Sequence, residues 1–143
     1  MEKTNGECLC GAVKFSADLP TKEFQACHCQ QCQRWTGGSP LLAIRAEDVE
    51  VTGGENIRAY HASEWGERAS CAKCGSILYW TMKGKPPAFL ALGLFAGQTG
   101  FELTEEIFTD HRPSWLPEWP NASQSTEAEQ IAKFDAYMAK QNE

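Results

Sequence analysis

Seven cysteines fall in four short units: Cys8-Leu9-Cys10-Gly11, Cys27-His28-Cys29, Cys29-Gln30-Gln31-Cys32 and Cys71-Ala72-Lys73-Cys74-Gly75. In an extended segment, positions two apart face the same way, so a C-x-C pair can offer two corners of a tetrahedron from one edge. In a C-x-x-C turn the two sulfurs converge under backbone N–H groups, and a following glycine permits the left-handed geometry of a knuckle. Cys71 to Gly75 fits that description best. One C-x-x-C alone is a weak signal. Two of them with two C-x-C pairs in 143 residues predict zinc binding. A disulfide framework is disfavoured, because seven is an odd number and pairing within a C-x-C would close a strained ring.

Spacing admits two partitions of the sulfurs. In one, Cys29 and Cys32 join Cys71 and Cys74 and leave a scattered Cys8, Cys10 and Cys27. In the other, Cys8, Cys10, Cys71 and Cys74 form a closed four-thiolate site, and Cys27, Cys29 and Cys32 remain as a compact trio. The second is preferred, since a C-x-C-x-x-C loop can bring three sulfurs to one metal. A closed site is a structural clasp, whereas three ligands leave a fourth position for water or a substrate. His28 lies between two ligands and is expected to point away from the metal. Lys73 offsets thiolate charge, and His61 and His111 read as ordinary loop or strand residues.

The elements that must position these residues are short. Leu9 to Ser16 alternates as a strand, with Val13 and Phe15 on one face. Leu41 to Val51 holds strand candidates broken by Glu47-Asp48, and Thr52-Gly53-Gly54 marks a turn. Arg58 to His61 and Arg68 to Ser70 flank a polar connection, as in a hairpin with a longer loop. Ile77 to Thr81, Phe89 to Phe95 and Glu106 to Thr109 read as later strands, and Gln30 to Trp35 as a helical turn. Pro113, Pro117 and Pro120 exclude regular structure from a Trp-containing stretch. Thr126 and Glu129 form a capping box, and Ile131, Phe134 and Met138 recur at helical spacing. An amphipathic helix is therefore expected over about Thr126 to Lys140, covering the core. Trp35, Trp65, Trp80, Trp115 and Trp119 are each expected as core or cover. The class is mainly β with a C-terminal helix.

Composition bounds the whole. With 143 residues, 42% hydrophobic and 22% charged, one globular domain is expected. The stretch Met1 to Glu7 lacks a signal-peptide pattern, and the longest apolar run, Ala88 to Ala96, is too short to span a bilayer. A cytoplasmic location with reduced thiols, and no membrane partner, is the expectation. A formal net charge of -6 argues against nucleic acid as a partner, because phosphate contacts need clustered Lys and Arg.

The run Gly6-Glu7-Cys8-Leu9-Cys10-Gly11-Ala12-Val13-Lys14-Phe15, the trio Cys27-His28-Cys29-Gln30-Gln31-Cys32 and the knuckle Cys71-Ala72-Lys73-Cys74-Gly75-Ser76 resemble the glutathione-dependent formaldehyde-activating enzyme and centromere protein V family. Arg34, Thr36 and Gly37, and Arg112-Pro113-Ser114-Trp115, are similar to its pattern too, so the likeness covers roughly residues 5 to 119. Gln33, Ser70 and Glu106 depart from it, standing where the family commonly has Arg, an aromatic and His.

The resemblance implies a zinc-stabilised β-tent (GFA-like) single domain over residues 1–120, with a helical extension over 121–143 packed on the same domain. It implies two Zn2+ ions per chain: a structural one on Cys8, Cys10, Cys71 and Cys74, and a catalytic one on Cys27, Cys29 and Cys32. The implied activity is that of a carbon-sulfur lyase acting on a thiol–aldehyde adduct, with glutathione and formaldehyde as small-molecule partners and Arg34 as a candidate anion contact. Two other classes compete: a non-catalytic zinc-binding interaction module, and a thiol-based redox or metal-handling protein. The sequence assigns no oligomeric state.

Overall fold

The computed structural model describes residues 2–141; Met1, Asn142 and Glu143, which the expected 1–120 and 121–143 segments include, lie outside the described residues. The strands are, in chain order, β1 (Thr4–Glu7), β2 (Lys14–Asp18), β3 (Glu23–Cys27), β4 (Leu41–Arg45), β5 (Glu47–Thr52), β6 (Ile57–Tyr60), β7 (Gly66–Cys71), β8 (Ile77–Met82), β9 (Phe89–Ala91), β10 (Glu102–Ile107) and β11 (Ser123–Ser125). The helices are α1 (Gln30–Thr36) and α2 (Glu127–Gln141). The mainly β class with a C-terminal helix is what the sequence predicts.

Two compact units form, one from residues 2–24 and 42–102, the other from 25–41 and 103–141. In the first, β2 pairs antiparallel with both β1 and β5, and β4, β9, β8, β7 and β6 are successive antiparallel neighbours. The period-2 pattern of β2 continues through the preceding residue, burying Val13, Phe15 and Ala17 while Lys14 faces solvent. These side chains join Ile44, Leu78, Tyr79, Leu90, Leu94 and Phe95 in one apolar core that also takes in Cys8 and Cys71. Packing thereby holds Cys8 and Cys71, whereas Cys10 is exposed. In the second unit β10 lies between β3 and a parallel β11. Its buried set is more polar, with His28, Glu106 and Ser125 beside Ala26, Cys27, Cys32 and Ile107. Hydrogen bonds must therefore do there what apolar burial does in the first unit.

Several boundaries differ from the sequence reading. Cys8 to Val13 is a turn closed by Cys8 N–H to the Val13 carbonyl (3.1 Å), so the strand expected from Leu9 begins at Lys14. The break within 41–51 falls at Ala46; Asp48 lies inside β5 with φ 47°. Phe89–Phe95 is a strand only to Ala91 and then a 3-10 turn over Leu92–Phe95, a choice that an unbroken apolar run leaves undetermined. The strand expected from Glu106 to Thr109 starts at Glu102 and stops at Ile107, where Phe108 turns left-handed. Helix α2 has no fully buried residue: Phe134 and Met138, on its expected inner face, are half-buried, and Ile131 is exposed. Trp65, Trp115 and Trp119 are likewise exposed, because loops and the Pro-rich stretch carry them.

Candidate metal centre

Two groups of sulfurs converge. Cys8, Cys10, Cys71 and Cys74 lie with their Sγ atoms within 4.8 Å of one another, in the first unit. Cys8 to Cys10 is 3.7 Å and Cys10 to Cys71 is 3.8 Å. A tetrahedron with metal–sulfur bonds of about 2.3 Å has edges of about 3.8 Å, so the two spacings are compatible with a tetrathiolate zinc site and too long for a disulfide. All seven cysteines are free.

The loops are built to present sulfur. Gly75 takes φ 80° and donates to the Cys71 carbonyl at 2.8 Å, while Cys74 N–H points at Cys71 Sγ at 3.4 Å. Gly11, with φ 78°, donates to the Cys8 carbonyl, and Val13 N–H reaches Cys8 Sγ at 3.4 Å. Leu9 N–H donates to Ser76 Oγ at 3.0 Å and joins the two loops directly. The Ser76 hydroxyl, 3.2 Å from Cys74 Sγ, together with backbone donors, pulls the Cys74 thiol down to about 5. Its thiolate, the form that binds metal, is thus favoured at neutral pH.

Cys27, Cys29 and Cys32 form the second group, again within 4.8 Å, in the second unit. Cys27 ends β3 and Cys29 caps α1, its Sγ accepting Cys32 N–H at 3.2 Å. The helix stops after two turns at Gly37, whose φ of 93° suits glycine. Cys27 and Cys32 are buried and Cys29 is partly accessible. The close Cys29 and Cys32 sulfurs, with burial, push the Cys27 thiol strongly upward. As thiolates, three sulfurs this close could share one cation, and the donor set is compatible with a soft divalent metal such as zinc. Among the described residues no fourth Cys, His, Asp or Glu joins this group.

His28 turns to a buried hydrogen bond with Glu106 and is not among the residues grouped with the trio's sulfurs: Nε2 lies 2.8 Å from Oε1, and both side chains are nearly inaccessible. Sequence reasoning missed this pair's other partners. Glu106 Oε2 accepts from Gln124 Nε2 (2.8 Å), Trp119 N–H (2.9 Å) and Arg112 Nη2 (3.1 Å). Burial disfavours the carboxylate, but these donors outweigh it and hold Glu106 down to about 2. Gln33 Nε2 donates to the carbonyls of His28 (2.7 Å) and His111 (2.9 Å). Arg34 is exposed in the last turn of α1, and Lys73 is exposed on the knuckle. His61 pairs with Glu67 and His111 with Glu127. Asp110, His111 and Glu127 also lie close together, an arrangement explained by Asp110 Oδ1 accepting Glu127 N–H at 2.9 Å at the start of α2.

A mainly β chain with one four-sulfur and one three-sulfur cluster defines a cysteine-rich, metal-compatible class of protein. The family model for the glutathione-dependent formaldehyde-activating enzyme matches residues 3–111, and the chain belongs to that family. It is 31% identical over 115 residues to an uncharacterized lyase of Schizosaccharomyces pombe, covering 79% of this chain and 83% of that one. It is 34% identical over 125 residues to a putative glutathione-dependent formaldehyde-activating enzyme of Halomonas elongata, covering 78% of each. A crystal structure of a Rhodobacter sphaeroides protein shares the fold with TM-score 0.58 at 22% identity, covering 86% of this chain and 100% of that one.

Proposed function

We propose that the chain is a zinc-dependent carbon–sulfur lyase that makes or cleaves the adduct of a small thiol and an aldehyde, with glutathione and formaldehyde the leading pair. The observation that carries this reading is the Cys27, Cys29 and Cys32 group, whose three sulfurs converge with no fourth protein ligand among the described residues. The names borne by the two relatives, one a lyase and one a formaldehyde-activating enzyme, support the same chemistry.

In the forward direction a C–S bond forms between the thiol sulfur and the aldehyde carbon. The C=O π bond opens, and the thiol proton ends on the new hydroxyl oxygen. Nothing is oxidised or reduced. A zinc ion on Cys27, Cys29 and Cys32 would supply Lewis acidity and a preference for the thiolate form of the substrate. The chain's own residues bind and orient. Arg34, exposed on α1 a half-turn past Cys32, offers a planar fork to a substrate carboxylate. The buried Cys27 and Cys32 flanks limit water on one side, and the accessible Cys29 side is where a small thiol would enter.

Cys8, Cys10, Cys71 and Cys74 take the second zinc ion in a structural role, since four thiolates leave no position for substrate. We place the protein in the cytoplasm, where thiols stay reduced; among the described residues no helix is long and apolar enough to cross a membrane. Exchange of formaldehyde with glutathione, followed by NMR against the uncatalysed background, tests the activity. Wild type is expected to accelerate exchange and Cys29→Ser to return it to background. Equal exchange in both removes the lyase reading.

A further inference from the structure

Glu106 is a buried carboxylate facing two different parts of the second unit with its two oxygens. Oε1 takes His28, the residue between Cys27 and Cys29, at 2.8 Å. Oε2 takes Arg112, the backbone of Trp119 and Gln124, three points along a Pro-punctuated stretch. Arg112 also donates to Gln124 Oε1 and pairs with Glu118 at 3.7 Å, so the donors are themselves cross-braced. The cysteine loop is further held by His28 N–H on the Ile107 carbonyl (3.0 Å), one residue beyond Glu106. His28 therefore has its backbone and its ring fixed by consecutive residues of β10. Cys27 and Cys29 flank this held residue directly in the chain.

We propose that Glu106 is a positioning residue for the three-sulfur site, setting the geometry of Cys27 and Cys29 through His28 and making it depend on docking of residues 112–124. The carboxylate does not touch the sulfurs. Its effect passes through the imidazole, as a hydrogen-bonded partner outside a metal's ligands orients them. The residues of the 112–124 stretch thereby act on metal binding although none belongs to the sulfur group. A neutral amide at 106 keeps the shape but turns one acceptor into a donor, which must face either His28 or the three donors on the other side.

This role rests on the metal-binding part of the proposed function, and its test uses the metal alone. Zinc affinity is measured by chelator competition, and cadmium-113 NMR of the loaded protein resolves the two sites. Wild type is expected to bind two equivalents and give two resonances. Glu106→Gln is expected to weaken the three-sulfur site about 10-fold or more, shift its resonance, and leave the four-sulfur resonance in place. Glu106→Asp, which keeps the charge, is expected to recover part of the loss. Wild type binding one equivalent would overturn the two-site reading itself. Two equivalents in wild type with unchanged affinity and resonances in Glu106→Gln would overturn only the positioning role. If Glu106→Gln does not fold, Gln124→Ala decides: the exposed glutamine's loss is expected to weaken the same site about 2- to 3-fold, and an unchanged site overturns the role.

Discussion

Glu106, a buried carboxylate with four hydrogen-bond partners, carries a pH dependence of its own. Glu106 is held at about 2, against an ordinary value of 4.5, because the donors outweigh the cost of burial. Its folded-state value lies below its unfolded one, so the stability it contributes is complete above about pH 4.5 and is lost as pH falls toward 2. The shift corresponds to on the order of 3 kcal/mol. The stability deficit of Glu106→Gln relative to wild type is thus expected to be largest at neutral pH and to shrink below pH 4.5. Urea midpoints from pH 3 to 7 check this, and parallel curves for the two proteins would contradict it. At this scale the sulfurs were legible in the sequence and Glu106 was not. A C-x-C or C-x-x-C states its own geometry locally, and the four- and three-sulfur groups are the preferred one of the two partitions that spacing left open. The partners of Glu106 sit at 28, 112, 119 and 124, and no local pattern announces a contact between them.

Short elements depend on single residues at their ends. Gly53 sits at φ 82°, and a Cβ there would lie 1.8 Å from the Ala12 carbonyl oxygen. Gly53→Ala is expected to cost more than about 2 kcal/mol, since backbone strain adds to a backbone clash. Gly84→Ala, at φ 80° with open space around it, should cost only about 1 kcal/mol. Denaturant midpoints compare the two, and equal losses would contradict the account. At the other end of the chain, Thr126 Oγ1 accepts Glu129 N–H at 3.2 Å and Glu129 Oε1 accepts Thr126 N–H at 3.1 Å. This is the capping box read from the sequence. Thr126→Ala should cost about 1 kcal/mol of helix stability. None of the residues of α2 is buried, so the loss is expected as faster amide exchange over its first turn with little change in global melting. A large drop in melting temperature would show that α2 supports the core after all. Helix signals of this kind are local and were legible. The strands β1 and β11 were not, because TNGE and SQS are polar and gain their pairing from neighbours far along the chain.

Across the molecule, the two sulfur groups are expected to play unequal parts in stability. Cys8 and Cys71 belong to the apolar core of the first unit, and the four-sulfur group joins loops 61 residues apart. A structural zinc ion can contribute on the order of 10 kcal/mol to folding. Cys71→Ser is therefore expected to abolish cooperative unfolding, whereas Cys29→Ser, in a group confined to one loop, should leave most of it. Calorimetry of both variants checks the contrast, and similar melting would place the clasp elsewhere. The mainly β class was readable because many short strand patterns precede a single terminal helix pattern. The uneven division of buried chemistry, with a larger polar share in the second unit than in the first, emerges only once the strands are paired.

The proposed function depends on whether a small thiol can reach a metal that Cys27, Cys29 and Cys32 would hold. Cobalt-substituted protein titrated with glutathione reads this directly through sulfur-to-metal charge-transfer absorption. A saturable rise is expected in wild type, with none in Cys29→Ser and none for S-methylglutathione. An unchanged spectrum in fully loaded wild type would contradict the account.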